Sequence, residues 1–134
     1  MAFTTYSAFV TALAGLTVTG VTRSYTEPPT QISTAGVPAM FPRIPAGAGE
    51  VEVLSGGSEI SRATAELVVA IEPVAQNMTS INFAAAVTMM DSLETAFRAA
   101  IVSVGIDAWT LQVSTVDIGV TPYWAVVATV EASG

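Results

Sequence analysis

Two glutamates two residues apart, Glu50 and Glu52, are the nearest thing in this chain to a catalytic pair. Residues at i and i+2 of a strand share a face, so the two carboxylates could share a proton or hold a hard cation. The same spacing also describes a solvated strand face, or a strand edge protected by charge. Arg43, directly after Pro42, either reaches a carboxylate on a partner or is a solvated loop charge. Gly47-Ala48-Gly49 opens like a dinucleotide fingerprint, but the third glycine and the following helix are missing. Asn77-Met78-Thr79 is a glycosylation triplet by spelling only. Trp109 and Trp124 read as core or sheet-face packing, with a subunit contact as the alternative because aromatics are enriched there.

Absent residue types exclude more chemistry than the present ones suggest. The chain has no His, no Cys and no Lys; its cations are Arg23, Arg43, Arg62 and Arg98. A Ser-His-Asp relay, His-ligated zinc, thiolate chemistry, disulfides, a Schiff base and a P-loop lysine are therefore all excluded. We expect no enzyme, no cofactor and no metal site. The net charge is −7. Four scattered arginines cannot neutralise a phosphate track, so specific nucleic-acid binding is not expected. The acidity serves solubility, or lets DNA slide past without sticking. Only 11% of residues are charged, against about 25% in an ordinary soluble domain, which implies apolar surface buried against other chains.

The elements that must position these residues follow from periodicity. From Ile81 to Val104 the apolar residues recur at helical spacing, with Phe83, Val87, Met90, Leu93, Phe97, Ala100/Ile101 and Val104 on one face. Thr79 or Ser80 caps the start and Gly105 the end, and Glu94 stands four residues before Arg98 as a supporting pair. A shorter helix runs from a Thr4 or Thr5 cap to about Leu16. Strands are expected over Val18–Tyr25, Glu50–Leu54, Ile60–Glu72, Ala108–Val120 and Tyr123–Glu131, with turns at Ser55–Ser58 and Thr121-Pro122. In the fourth strand the apolar phase switches from Trp109, Leu111 and Val113 to Val116, Ile118 and Val120, as a bulge or bend would produce. The order α, β, β, β, α, β, β predicts one α+β domain over residues 1–134: a mostly antiparallel sheet packed by a long helix in the C-terminal half and a shorter N-terminal helix. Met1–Thr22 lacks the basic start of a signal peptide, and Pro73–Met90 is too polar to span a membrane. A soluble, non-exported protein is expected.

Residues 31–49 are the irregular part. Pro38, Pro42 and Pro45 with Gly36, Gly47 and Gly49 predict a long loop and no central strand. Yet Val37, Met40, Phe41 and Ile44 sit inside it. Either the loop folds back over its own core, or it is an arm that docks on a neighbouring subunit through Val37, Met40, Phe41, Arg43 and Ile44.

Taken together, Thr19-Gly20-Val21 through Pro28-Pro29, then Val37-Pro38-Ala39-Met40-Phe41-Pro42, the hairpin, the alanine-rich helix and two closing strands resemble the tail terminator proteins of long-tailed bacteriophages, also called tail completion or neck proteins. The resemblance covers nearly the whole chain and rests on element order and loop character. It implies a structural virion protein in the tail or neck, assembled in the host cytoplasm. Such a protein forms a ring, commonly of six copies, that ends the tail tube and joins it to the head-side connector protein. Its partners would be its own copies, the tail-tube protein and the connector, with genomic DNA passing through the lumen and no membrane. The alternatives are another head–tail joining (head-closure) or tail-tube subunit, or a small ligand-binding module whose pocket is made adaptable by Met78, Met89 and Met90.

Overall fold

The computed structural model describes residues 5–31, 37–52, 57–74 and 80–132, with the backbone alone for 48–52, 57–61 and 80–82. Helix α1 is Tyr6–Ala14, followed by β1 (Arg23–Ser24), β2 (Ala39–Glu52), β3 (Gly57–Pro73), α2 (Ser80–Ala99), α3 (Ile101–Val104), β4 (Ile106–Ile118) and β5 (Thr121–Ala132). The fold is α+β. Its five strands lie in the order β1-β2-β3-β5-β4; β1 is parallel to β2, and every other pairing is antiparallel.

Thr5 caps α1 as its hydroxyl predicts, accepting from the Ala8 N–H at 3.0 Å. The helix buries Phe9 and Leu13 over β2 and β3. The expected long helix exists, but it breaks at Ala100 into α2 and the one-turn α3, which Gly105 ends in the left-handed conformation. The buried stripe is also rotated from expectation. Ala86, Met89, Leu93, Ala96, Phe97, Ala100 and Val104 face the sheet, whereas Phe83 and Val87 face solvent. Alanine at three of these positions lets the helix approach the strands closely, which the bulkier stripe would prevent. The Thr79 cap and the Asn77-Met78-Thr79 triplet lie outside the described residues, as do Ser55 and Gly56 of the expected turn.

On β3, Ala63, Ala65, Leu67, Val69 and Ile71 point to the helices as alternation predicts, joined there by Val126, Ala128 and Val130 of β5. Full burial of Leu67 or Val69 stabilises by about 1.5–3 kcal/mol each. The opposite face carries a second core: Ala39, Phe41, Val68, Ala70, Val116, Ile118, Tyr123, Ala125 and Val127, against which Tyr25 and Val37 pack. The segment after β1 reaches the turn between β4 and β5: a Cβ on Gly119 would stand 2.5 Å from the Thr30 carbonyl oxygen. The phase switch in β4 is thereby explained without the expected bulge. Pairing with β5 is regular from Ala108 to Ile118, and the only register shift falls between Ile106 and Ala108. Trp109, Leu111 and Val113 belong to the helix side, Val116 and Ile118 to the second core. The chain turns at Gly119-Val120, since Ile118 pairs with Thr121; glycine with positive φ at the first central position suits such a two-residue turn. Thr121-Pro122 therefore opens β5 and is not the turn.

Residues 39–49 correct the expectation of a loop. They belong to β2, which crosses both Pro42 and Pro45. The Pro38 and Met40 carbonyls accept from Thr22 and Tyr25, on the side away from β3. Backbone direction alternates along a strand, so Pro42 also turns its hydrogen-free nitrogen outward and no bond to β3 is lost. Pro45 sits in a bulge: Arg43 opposes Glu66 while Ala46 opposes Thr64, leaving Ile44 and Pro45 opposite Ala65 alone. Ile44 takes φ 51° there, strained for a β-branched residue. Beyond Gly47 the β2–β3 hairpin runs past the rest of the sheet, because β5 is paired no further along β3 than Ala63.

Candidate functional site

Among the described residues no group of three or more carboxylates comes together, and the strand edges left open in this fold are taken as the candidates for function. They lie on the two flanks of the sheet.

The first flank is the outer side of β2. β1 covers only Ala39 and Met40; the rest of this edge pairs with no described strand. Next to it, between α1, the 26–28 segment and the β2 bulge, lies a cavity of about 150 Å³. Val10, Pro28, Pro42, Ile44, Pro45 and Ala65 make it mainly apolar; Thr26, Glu27 and Arg43 complete the lining. Arg43 is paired within its own chain. Its Nε donates to Glu66 Oε1 of the same chain at 2.7 Å, with both side chains only about a quarter exposed.

The residues expected at a subunit contact separate accordingly. Met40 is buried at 1% in the helix-side core and Phe41 at 2% in the second core. Both are inside their own subunit, which corrects their placement on a docking arm. The reason is the pairing of β2 with β3, which points alternate side chains into the two faces of its own sheet. Val37 packs against the second core. Ile44 alone is displayed, at 65% exposure, because the bulge turns it out. Glu50 and Glu52 pair through the backbone with Glu59 and Gly57.

The second flank is the outer side of β4, the last strand of the sheet. It is 13 residues long, with no proline and no charged residue between Asp107 and Asp117. Pairing with β5 uses Ala108, Thr110, Gln112 and Ser114, so the backbone groups of Trp109, Leu111, Val113 and Thr115 point outward, by alternation from the Pro122 carbonyl that accepts from Val74 on the β3 side. Above this edge stands α2. Trp109 stacks on Phe97 with ring centroids 5.7 Å apart, and its indole N–H donates to Glu94 Oε1 at 3.0 Å. Arg98 donates to the other carboxylate oxygen at 2.7 Å, as the i, i+4 spacing predicts. The Trp109 bond, and then Arg98, hold the Glu94 carboxyl below its ordinary pKa. Because Glu94 faces β4, the residues above it on the same helical line face that side too: Phe83, Val87 and Met90. Phe83 is 61% exposed and Val87 40%. An apolar helical stripe thus runs beside an open strand edge. Phe83 was legible as apolar and helical but not as surface.

Met89 lies in the helix-side core and Met90 packs against it; neither lines the cavity, and Met78 lies outside the described residues. Trp124 is half-buried in β5, opposite Thr115. No family model, curated protein or solved structure matches this chain.

Proposed function

We propose that this protein is a structural subunit that associates with its own copies head to tail and closes into a ring, and that the ring is the tail terminator of a long-tailed bacteriophage. The observation that carries the reading is a pair of edges on opposite flanks with no described strand beside them, the outer half of β2 and the whole of β4. β2 is antiparallel to β3, β3 to β5, and β5 to β4. β4 therefore runs opposite to β2, and the two edges of successive copies meet in the antiparallel sense without inverting the sheet. Contacts of that kind close into a ring when the rotation per copy permits.

The composition supports the same reading. Half of the residues are hydrophobic and few are charged, which suits a chain that buries surface against neighbours. A net charge of −7 without a lysine suits a lumen through which DNA passes without being gripped. In this role the ring, commonly of six copies, ends the tail tube, and its opposite face meets the head-side connector.

Native mass spectrometry and electron microscopy of the purified protein test the proposal. Closed rings that shorten tail tubes when mixed with tube protein are expected. Filaments of unlimited length would favour a tube subunit instead. A strict monomer, both in solution and in particles, would overturn the reading.

A further inference from the structure

We propose that Phe83 of one copy fills the cavity between α1 and the β2 bulge of the next, joining subunits as knob and hole. The inference rests on the ring reading and names its contact. A cavity of about 150 Å³ is the size that accepts a benzene ring when its walls are apolar, and the phenyl group of Phe83 is such a ring. Its exposure, 61%, places a large aromatic in water at a cost that docking would remove. Val87, one turn further along α2, supplies a second apolar contact. Tyr6 is the other large exposed aromatic among the described residues, but it lies against Gly47 on the cavity's own flank.

The occupant is a second copy of this chain for a geometric reason. Knob and hole lie on opposite flanks but on the same, helical side of the sheet: Phe83 is on α2, and the cavity is walled by Val10 of α1 and Ala65 of β3. The antiparallel sense of β4 and β2 keeps that side common to successive copies. A head-to-tail step therefore brings the Phe83 flank of one copy toward the cavity flank of the next. A twofold contact of β4 with β4 would set Phe83 against Phe83 and leave both cavities empty. An aromatic anchor in a closely fitting apolar pocket is also where binding energy concentrates in interfaces.

Two variants test the contact. Phe83→Ser removes the knob and keeps the hole; Thr26→Trp obstructs the hole and keeps the knob. Both positions are exposed, so circular dichroism melts should match wild type; should either variant unfold, Val87→Ser and Pro28→Lys probe the same two surfaces. With native mass spectrometry and light scattering on the full chain, each variant alone should associate at least about thirtyfold more weakly. An equimolar mixture should yield a one-to-one heterodimer and nothing larger, since only one knob and one hole survive between them. Variants that form rings as readily as wild type would overturn this contact and leave the ring reading standing. Failure of the mixture to form a heterodimer would overturn the head-to-tail pairing. A wild-type chain that is monomeric throughout would overturn both.

Discussion

The two margins of the sheet are built differently. The β2 margin has no described strand beside its outer half, but it is obstructed in its first half: β1 covers Ala39 and Met40, Pro42 has no N–H to offer, and the bulge at Ile44-Pro45 breaks the row. These are devices that keep a strand edge from templating further strands. The β4 margin has none of them between Asp107 and Asp117, and an apolar helical stripe stands above it. The first margin presents a cavity lined mainly by apolar side chains; the second presents the exposed side chains of Phe83 and Val87. The contrast teaches that edge protection in this fold is local: a proline and a bulge blunt one margin, and the other carries neither between Asp107 and Asp117.

The largest expected effects concern residues that both margins depend on. Phe41→Ala should cost about 3–5 kcal/mol and Met40→Ala about 2–5 kcal/mol, because each is sealed in a different core of the same strand. Together they approach the whole stability of a domain, so the double serine variant should be unfolded in urea-free buffer by circular dichroism. A folded double variant that fails only to assemble would return these residues to the interface. Below the open margin, Phe97→Ala should cost about 3–5 kcal/mol, since Phe97 is fully buried beneath Trp109; chemical denaturation would measure it.

Smaller in stability but sharper for the comparison is Thr115→Pro. The N–H of Thr115 points away from β5, so its loss breaks no internal ladder, as at Pro42. The variant should melt within about 1 kcal/mol of wild type yet associate poorly in light scattering. Unchanged association would remove β4 from the interface. The smallest effect is expected at the surface pair. Arg98→Ala should shift the melting temperature barely at all, because Arg98 is largely solvated. The Glu94 carboxyl is held below its ordinary value in the folded state, so its contribution is present above the ordinary carboxylate pKa, about pH 4.3, and is lost as pH falls through the lowered value. Trp109 fluorescence, followed from pH 6 downward, should change only below the ordinary range, and Glu94→Gln should abolish that titration.

Local periodicity by itself determined much of this protein. The order of helices and strands apart from the break before α3, a threonine cap at position 4 or 5, the helix-facing side of β3 and the Glu94–Arg98 pair all follow from neighbours within a few residues, where side-chain direction is set by 3.6 or 2.0 residues per repeat. The loop expected over residues 31–49 gives way to strand over 39–49 for a long-range reason. Whether Pro42 is tolerable in a strand depends on which side of that strand has a neighbour, and strand order is decided by pairings far apart in the chain. The same cause governs the second core: Val68 and Ala70 are buried on the far side of β3 beside Ala39, Phe41, Ala125 and Val127, with Tyr25 and Val37 packed against them, and those neighbours come from distant parts of the chain. The rotation of α2 was likewise hidden, because Ala86, Ala96 and Ala100 carry little hydrophobic signal yet decide how closely the helix can lie on the sheet. Phe83 is thus exposed, and β4 placed last in the sheet, by tertiary packing alone: burial and edge position belong to the assembled sheet, and no window of sequence contains them.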